Sequence, residues 1–214
     1  FEDISLDVKR GEILGIYGLI GSGRSEFLNC VFGVTKPSAG SATLLGKPIP
    51  KGKPGAAIRQ GISLVTEDRK ATGLVLSSSV AFNTTLAALP NLSFATYIDR
   101  PREHRLMSAL IERMRVKLAT PEMDVCELSG GNQQKVVLAK CMATDPICLL
   151  CDEPTRGIDE GAKREIYAFL GEFAAKGGAI LVVSSEAPEV LEVSDKIAIF
   201  KKGRLAAIVD SRQT

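Results

Sequence analysis

Residues 18–25, GLIGSGRS, have the composition and spacing of a loop that binds phosphate. They match the pattern G-x-x-x-x-G-K-[ST] at every fixed position except one, because Arg24 stands where the pattern has lysine. Glycines at these positions let backbone N–H groups converge on phosphate oxygens, and a hydroxyl such as that of Ser25 is suited to binding Mg²⁺. The residues of this loop that we expect to contact a nucleotide are Gly18, Gly21, Ser22, Gly23, Arg24 and Ser25.

The arginine in this loop affects the expected chemistry more than the expected binding. Arginine keeps the positive charge, but its planar guanidinium is larger than the compact ammonium of lysine. We therefore expect Arg24 to preserve anion binding and to impair the placement of a phosphate for catalysis. On this loop alone, a glycine-rich turn between a strand and a helix, without any ligand, is an alternative.

A second stretch, LSGGNQQK at residues 128–135, has the features of an exposed helix start. Ser129 is placed to cap the helix, and Gly130 and Gly131 keep side chains away from that end, which leaves free N–H donors and the positive end of the helix dipole. The stretch predicts a second anion site, with Asn132 and Gln133 as further candidates for ligand contact. The alternative is an ordinary capped helix.

A third stretch, ICLLCDEP, is an apolar run that ends in two adjacent carboxylates. Asp152, at the end of the predicted strand, can hold Mg²⁺ through water, and Glu153 can polarise an attacking water molecule. A loop with two solvated acids is the alternative, and it fits poorly after so apolar a strand.

The elements that must position these residues alternate between strands and helices. The apolar run at residues 12–17 predicts a buried strand leading into the phosphate loop, and the next residues take helical spacing. Another helix is predicted around the face formed by Ile166, Phe169, Leu170, Phe173 and Ala174. Further strands are predicted at residues 1–8, 43–50, 61–65, 147–152 and 179–185, and a strand pair at residues 196–210 around Lys202 and Gly203.

A helical segment interrupts this alternation. Between Val80 and Leu118 the apolar residues take helical spacing, most clearly in the series Met107, Leu110, Ile111, Met114 and Leu118. The whole pattern predicts an α/β fold with an antiparallel β part and a helical subdomain at about residues 77–128.

Composition narrows the class of protein without identifying a partner. The 214 residues, 45% of them hydrophobic, are enough for one domain with a well-buried core. The 27 basic against 25 acidic residues give no electrostatic argument for nucleic acid. No apolar run approaches the roughly 20 residues of a spanning helix. The five cysteines lie in strand-like or helix-like surroundings, which predicts reduced thiols in the core.

Taken together, the motifs resemble those of an ABC ATPase nucleotide-binding domain over essentially the whole chain. The stretches GLIGSGRSE, TEDRK, LSGGNQQKV, DEPTRGID and VSSEAPEV are similar to the second of two fused ATPase halves in bacterial importers of ribose, galactose, xylose and related sugars. The resemblance implies a single P-loop NTPase core at residues 1–214, as part of a longer chain with two ATPase halves.

The resemblance also implies how the motifs work together. In such proteins two halves pack head to tail, and each ATP lies between the phosphate loop of one half and the signature of the other. In this chain the signature is the stretch LSGGNQQK at residues 128–135. Ser129, Gly130 and Gly131 are then expected to complete the partner's site. The implied ligands are ATP and Mg²⁺, and the implied partners are a second ATPase half, transmembrane permease subunits and, indirectly, a solute-binding protein, but no nucleic acid. The expected location is the cytoplasmic face of the bacterial inner membrane, as a peripheral protein.

Three positions depart from the pattern of the family, all in the site built on this chain's own phosphate loop. Besides Arg24, Glu67 stands where the family usually has a glutamine that links Mg²⁺ to the membrane subunit, and Ser185 where it usually has a histidine that contacts the γ-phosphate. The implied metal-binding residues are Ser25, Glu67 and Asp152, and the implied catalytic residues are Glu153 and Ser185. We therefore expect slow turnover at this site and an intact signature that serves the partner.

Two other functions fit parts of the sequence. A regulatory module that binds nucleotide without hydrolysing it differs from the first hypothesis in turnover and not in fold. An ABC-type ATPase of DNA repair or chromosome organisation also uses a signature serine and glycines, but such proteins carry heptad arms or zinc-cysteine modules between the loop and the signature, and the span from Ser25 to Leu128 has neither. In the importers that the chain resembles, the pocket that selects the solute belongs to other subunits, so the sequence predicts no particular sugar, and a nucleoside or a signalling molecule is an alternative.

Overall fold

The computed structural model describes residues 1–211. Its strands are β1 (Ile13–Gly18), β2 (Thr43–Leu44), β3 (Lys47–Pro48), β4 (Ile62–Val65), β5 (Ser93–Phe94), β6 (Tyr97–Ile98), β7 (Cys148–Asp152), β8 (Ala179–Ser184), β9 (Lys196–Lys201) and β10 (Arg204–Asp210). Its α-helices are α1 (Arg24–Phe32), α2 (Pro54–Arg59), α3 (Val80–Thr85), α4 (Leu89–Leu92), α5 (Arg100–Arg113), α6 (Gly130–Met142), α7 (Glu160–Ala175) and α8 (Ala187–Val193). Short 3₁₀ turns lie at Leu86–Ala88 and Val125–Glu127, and a π-helical turn lies at Arg69–Gly73.

The described residues form two compact units. The first, called the core unit, comprises Phe1–Glu67, Pro146–Pro154 and the described residues from Tyr167 onward. The second, called the helical unit, comprises Asp68–Asp145 and Thr155–Ile166. The range of residues 77–128, predicted from the sequence as a helical subdomain, lies inside the helical unit.

The core unit is built on a six-stranded sheet with the order β10-β9-β1-β8-β7-β4. All neighbours in this sheet are parallel except the pair β9 and β10, which forms the predicted hairpin. The central strands β7 and β8 are buried along their whole length, which agrees with their continuous apolar sequences. The mixed α/β fold with an antiparallel part is therefore confirmed.

The main hydrophobic cluster of this unit lies between the sheet and helices α1 and α2. Leu14, Ile16 and Leu150 are almost fully buried, and Leu28 of α1 packs into the same cluster. Aromatic side chains extend it toward the beginning of the chain, since Phe27 makes edge contacts with Phe200 and with Phe1, each at a centroid distance of 5.6 Å. The helix that follows the phosphate loop is thus held firmly against the sheet.

The strand predicted at residues 1–8 is not formed, so this prediction is wrong. The alternation that suggested it has a different cause, because Ile4, Leu6 and Val8 are half-buried and pack against the core while their neighbours are exposed. The backbone does not join a ladder; Glu2 N–H donates to the oxygen of Gly203 at 2.7 Å, outside any strand pair. One-sided burial alone produces the period of two.

The helical unit is organised around α3, α5 and α6, which contact one another. Met107, Leu110 and Met114 are buried, as the spacing predicts, but α5 ends at Arg113 and the series does not continue to Leu118 as helix. The helix ends because Arg115 adopts a left-handed conformation with φ of 49°, and its N–H bonds back to Glu112 O at 2.9 Å.

Two further predictions concern the chain as a whole. All five cysteines are free thiols, and Cys141, Cys148 and Cys151 are buried. Burial raises the pKa of Cys141 to about 11 and that of Cys148 to about 12. Cys126, however, is exposed, so the prediction of core thiols does not hold for every cysteine.

None of the described helices has the length and apolar character that a membrane span requires.

Candidate functional site

The phosphate-loop site lies at one edge of the core-unit sheet. The strands β1, β8, β7 and β4 are adjacent and parallel, so the segments that follow their carboxyl ends meet at the same edge. These segments contain residues 18–25 after β1, Asp152 and Glu153 at the end of β7, Glu67 after β4, and Ser185 after β8. The sheet topology therefore gathers all the predicted residues of this site at one edge.

The loop itself depends on its first glycine for close packing. A Cβ atom at Gly18 would lie 2.5 Å from the backbone oxygen of Phe200 and 2.6 Å from Ser22 Oγ, which leaves no room for a side chain. Gly21 and Gly23 have φ of 78° and 92°, in the left-handed region that favours glycine. The N–H of Gly203, in the turn between β9 and β10, donates to Ser22 O at 3.0 Å and thereby holds the loop against that turn.

Ser25 and Asp152 are in direct contact. Ser25 Oγ donates to Asp152 Oδ1 at 3.0 Å, which brings together two of the predicted metal-binding residues. The pKa of Asp152 is raised to about 6, mainly by burial; the hydrogen bond from Ser25 and the charge of Arg24 lower it in part, and the charge of Glu153 adds to the rise. A hydroxyl and a carboxylate side by side are the oxygen ligands that Mg²⁺ prefers.

Arg24 points toward Glu153. Its Nη1 lies 3.5 Å from Glu153 Oε1, and both side chains are at most 10% exposed. Glu153 has φ of 46°, uncommon for a residue other than glycine, and its N–H donates to Val183 O of the neighbouring strand at 3.0 Å. The arginine that replaces the usual lysine is thus paired with the predicted catalytic carboxylate.

Several buried polar atoms at this edge lack a hydrogen bond. Among the described residues, none donates to or accepts from Arg24 Nη1, Ser22 Oγ or Thr66 Oγ1. Buried polar groups are normally satisfied, so unsatisfied ones in segments that follow strands of the same sheet indicate a place for a polar ligand. Because the unsatisfied atoms include a cationic N–H and a loop hydroxyl, the residues present fit an anionic ligand such as a nucleotide phosphate. Thr66 was not predicted, since a single threonine after a strand carries no sequence signal.

Glu67 and Ser185 are both exposed. Next to Ser185, the buried Ser184 donates from Oγ to Glu189 Oε2 at 2.8 Å and accepts from Glu186 N–H at 3.1 Å, which fixes the turn after β8. The structure thus places Glu67 and Ser185 at the site edge of the sheet.

The signature lies at the start of α6 in the helical unit. Ser129 Oγ accepts from Asn132 N–H at 3.4 Å and from Asn132 Nδ2 at 3.1 Å, so it caps the helix as predicted. Asn132 Oδ1 in turn accepts from Lys117 N–H at 2.9 Å. A Cβ at Gly131 would lie 2.6 Å from Ala162 Cβ, so this glycine allows α6 to approach α7 closely.

Gln133 and Arg69 support this helix start from within the unit. The buried Gln133 donates from Nε2 to Val125 O and Leu128 O at 3.3 and 3.1 Å, and accepts from Arg69 Nε at 3.4 Å. Its amide is thus engaged by the protein, which differs from the ligand-facing role that the sequence predicts. Sequence reasoning gave Arg69 no role, because a charged residue in a polar stretch has no distinctive pattern of its own.

The fold and the phosphate-loop site define the class of protein, a P-loop NTPase with the fold of an ATP-binding cassette. A solved cassette dimer in a post-hydrolysis state bound to ADP and Pi matches with a TM-score of 0.85 at 21% identity, over 99% of this chain and 90% of that one. A nucleotide-free cassette from an ABC transporter matches with a TM-score of 0.82 at 22% identity, over 97% and 83%. At these identities the similarity establishes the fold.

The family follows from sequence. The family model for the ABC transporter matches residues 1–156, more than half of the chain, and the chain belongs to this family. It is 46% identical over 210 residues to the ribose import ATP-binding protein RbsA of Jannaschia sp. (strain CCS1), covering 98% of this chain and 41% of that protein. The protein of the same name from Bacillus subtilis (strain 168) is 43% identical over 213 residues, covering 100% and 43%. The chain spans about two fifths of the length of these curated relatives.

Proposed function

We propose that this chain is a nucleotide-binding domain of an importer for ribose or a related small solute, and that it couples ATP binding and hydrolysis to transport. Membership of the ABC transporter family supports the reaction class, and the names of the relatives support the type of solute. The observation that carries the proposal is the contact between Ser25 and Asp152, directly beside the phosphate loop.

In this proposal the phosphate loop binds ATP and Mg²⁺. The glycines, Ser22 and Arg24 hold phosphate oxygens, which would satisfy the buried polar atoms that lack partners. Ser25 and Asp152 hold Mg²⁺, which when bound neutralises charge on the phosphates. Glu67 is a further candidate ligand from its place after β4.

The proposal divides the work between two sites. The site on this chain's own loop turns over slowly, because Arg24 pairs with Glu153 and Ser185 lacks the imidazole of the usual histidine. The signature contributes to the partner's site through Ser129, Gly130, Gly131 and Asn132. Gln133 instead supports the helix start through hydrogen bonds from its amide to backbone oxygens.

The proposed partners follow from the same division. A second ATPase half pairs with this one, permease subunits carry the solute across the inner membrane, and a solute-binding protein delivers it. The match to only about two fifths of each relative is compatible with a fused second half. The domain is then peripheral, on the cytoplasmic face.

A second function, a regulatory module that binds nucleotide without hydrolysing it, is favoured by one observation. The predicted base, Glu153, is buried and held 3.5 Å from a guanidinium, where it is poorly placed to accept a proton from water. The two functions differ in turnover and share the same binding chemistry.

A matched pair of measurements on residues 1–214 tests the proposal. Calorimetry measures the binding of Mg-ATP, and phosphate release at saturating ATP measures turnover, with Glu153→Gln as the control. We expect binding in both proteins and little turnover that depends on Glu153. Absence of binding in the wild type would refute the nucleotide site, and rapid Glu153-dependent turnover would refute the slow home site.

A further inference from the structure

Arg69 connects two separate segments of the helical unit. Its Nη1 donates to the backbone oxygen of Arg156 at 3.0 Å, and its Nη2 to that of Gly157 at 3.4 Å. Its Nε donates to Gln133 Oε1 at 3.4 Å. Gln133 belongs to the first turn of α6, whereas Arg156 and Gly157 lie in the loop that precedes α7. One side chain therefore ties the signature helix to a loop distant in sequence.

The guanidinium and the signature fit each other in shape. A Cβ at Gly130 would lie 2.8 Å from Arg69 Nη2, so the glycine at this position leaves the space that the guanidinium occupies. The planar guanidinium holds its N–H groups in a fixed fork that reaches separate acceptors, whereas the three donors of a lysine ammonium sit on one nitrogen at the end of a flexible chain. The first glycine of the signature is thus packing against Arg69.

The backbone that carries Arg69 is fixed at both ends of its π-helical turn. Asp68 Oδ1 accepts from the N–H groups of Lys70 and Ala71 at 2.9 and 3.0 Å. At the other end, Lys140 Nζ of α6 donates to Gly73 O. Because the turn is fixed to the same helix, the guanidinium is held in place relative to the start of α6.

We propose that Arg69 is the positioning residue for the donated signature, fixing residues 129–131 in the orientation that the partner's site requires. This inference rests on the proposed function, in which the exposed Ser129 and the glycines complete a site on another half. A displacement of about 1 Å of a group that must meet a bound substrate can lower the rate about a hundredfold. Arg69 would then act through the signature, without touching nucleotide.

Hydrogen exchange on residues 1–214 tests the structural step. The variants are Arg69→Ala, Arg69→Lys and, as a matched control, Arg105→Ala, which removes an exposed arginine from α5 of the same unit. We expect exchange in peptides spanning residues 128–138 to be at least about tenfold faster in Arg69→Ala, since local opening becomes easier. Arg69→Lys should restore it in part, and Arg105→Ala should leave it unchanged.

Turnover of the assembled transporter, with full-length protein and membrane subunits, tests the functional step. We expect Arg69→Ala to lower kcat about tenfold with a change in KM below about threefold, as for an interaction that orients groups in the transition state. Mg-ATP affinity of this chain's own loop should stay unchanged in the same variant. Ser129→Arg serves as the reference for a lost signature.

The outcomes separate this inference from the proposed function. Unchanged exchange at residues 128–138 in Arg69→Ala, or faster exchange with unchanged kcat, would overturn the role of Arg69 while Ser129→Arg still abolished turnover. Unchanged turnover in Ser129→Arg would refute the donated signature itself and, with it, this inference. Partial rescue of kcat by Arg69→Lys, in parallel with exchange, is the result that supports it.

Discussion

At the phosphate loop, two buried polar atoms make no hydrogen bond with the described residues: Ser22 Oγ, and Arg24 Nη1, which has only the ion pair with Glu153 at 3.5 Å. At the start of α6 the polar side chains are engaged: Ser129 caps the helix, Asn132 accepts from Lys117, and Gln133 bonds three neighbours. Both regions are predicted to contact phosphate, yet the phosphate loop contains buried polar atoms without a hydrogen bond, whereas the side chains at the start of α6 are hydrogen-bonded within the protein.

This difference indicates two ways in which a protein surface can contribute to nucleotide binding. A site that must close around phosphate benefits from N–H and hydroxyl groups that only the ligand satisfies, and such groups cost stability when the ligand is absent. A surface that is presented to another half benefits from being rigid beforehand, because less ordering is needed on association. The phosphate loop should therefore become more stable when its ligand binds. The signature should already be stable through hydrogen bonds within the protein.

The largest expected effect comes from removing the charge of Arg24. In Arg24→Met, the buried Glu153 loses its partner, and breaking a buried ion pair costs about 3 kcal/mol. Chemical unfolding should show this loss without ligand. The charge-assisted contact to phosphate is also lost, so the affinity for Mg-ATP should fall roughly tenfold or more.

The double variant Arg24→Met/Glu153→Gln is the control for this pair. It removes both charges and should recover most of the lost stability, but not the affinity for nucleotide. If Arg24→Met were as stable as the wild type, the ion pair would contribute nothing, and the contrast between the two regions would lose its main support.

The second prediction concerns the pH dependence of stability through Asp152. Its pKa is raised from an ordinary 3.8 to about 6, mainly by burial. Its protonated form is therefore favoured by folding, and this contribution is fully present below about pH 4 and lost as the pH rises through about 6. Asp152→Asn should thus stabilise the ligand-free protein at pH 7.5 by up to about 3 kcal/mol.

Unfolding at several pH values checks the sign as well as the size of this effect. The gain from Asp152→Asn should shrink as the pH falls toward 4, and saturating Mg-ATP should reverse it, since the carboxylate then has a cation beside it. A gain independent of pH would mean that the asparagine acts through packing and not through charge.

The strands that lead to the site could be predicted from the sequence, but the side-chain contacts within the site could not. Strand ends are readable because continuous apolar runs such as those of β7 and β8 stop at polar residues, and parallel topology then brings the following segments together. The pairing of Arg24 with Glu153 and the contacts of Arg69 are not readable, because they depend on side-chain directions in three dimensions. The prediction of a strand at residues 1–8 was wrong for a related reason, since burial of one side of an irregular segment gives the same alternation as a strand.

The smallest expected effect tests the signature side of the comparison. Gln133→Ala removes an amide that donates to Val125 O and Leu128 O. Val125 O still accepts from Leu128 N–H at 3.3 Å, whereas Leu128 O loses the amide's hydrogen bond in a buried place. The expected loss of stability is about 1–2 kcal/mol. The affinity of this chain's loop for Mg-ATP should not change, because the amide lies in the helical unit and its hydrogen bonds are all made there.

Unfolding and calorimetry on the same variant decide between support and ligand contact for Gln133. A stable Gln133→Ala that nevertheless lowers turnover of the assembled transporter would restore the ligand-facing role predicted from the sequence. A destabilised variant whose turnover recovers at low temperature, where the folded population is restored, would fit support of the helix start. In that case the signature meets its partner through the exposed Ser129, the two glycines and Asn132, and Gln133 contributes by ordering the helix start within the helical unit.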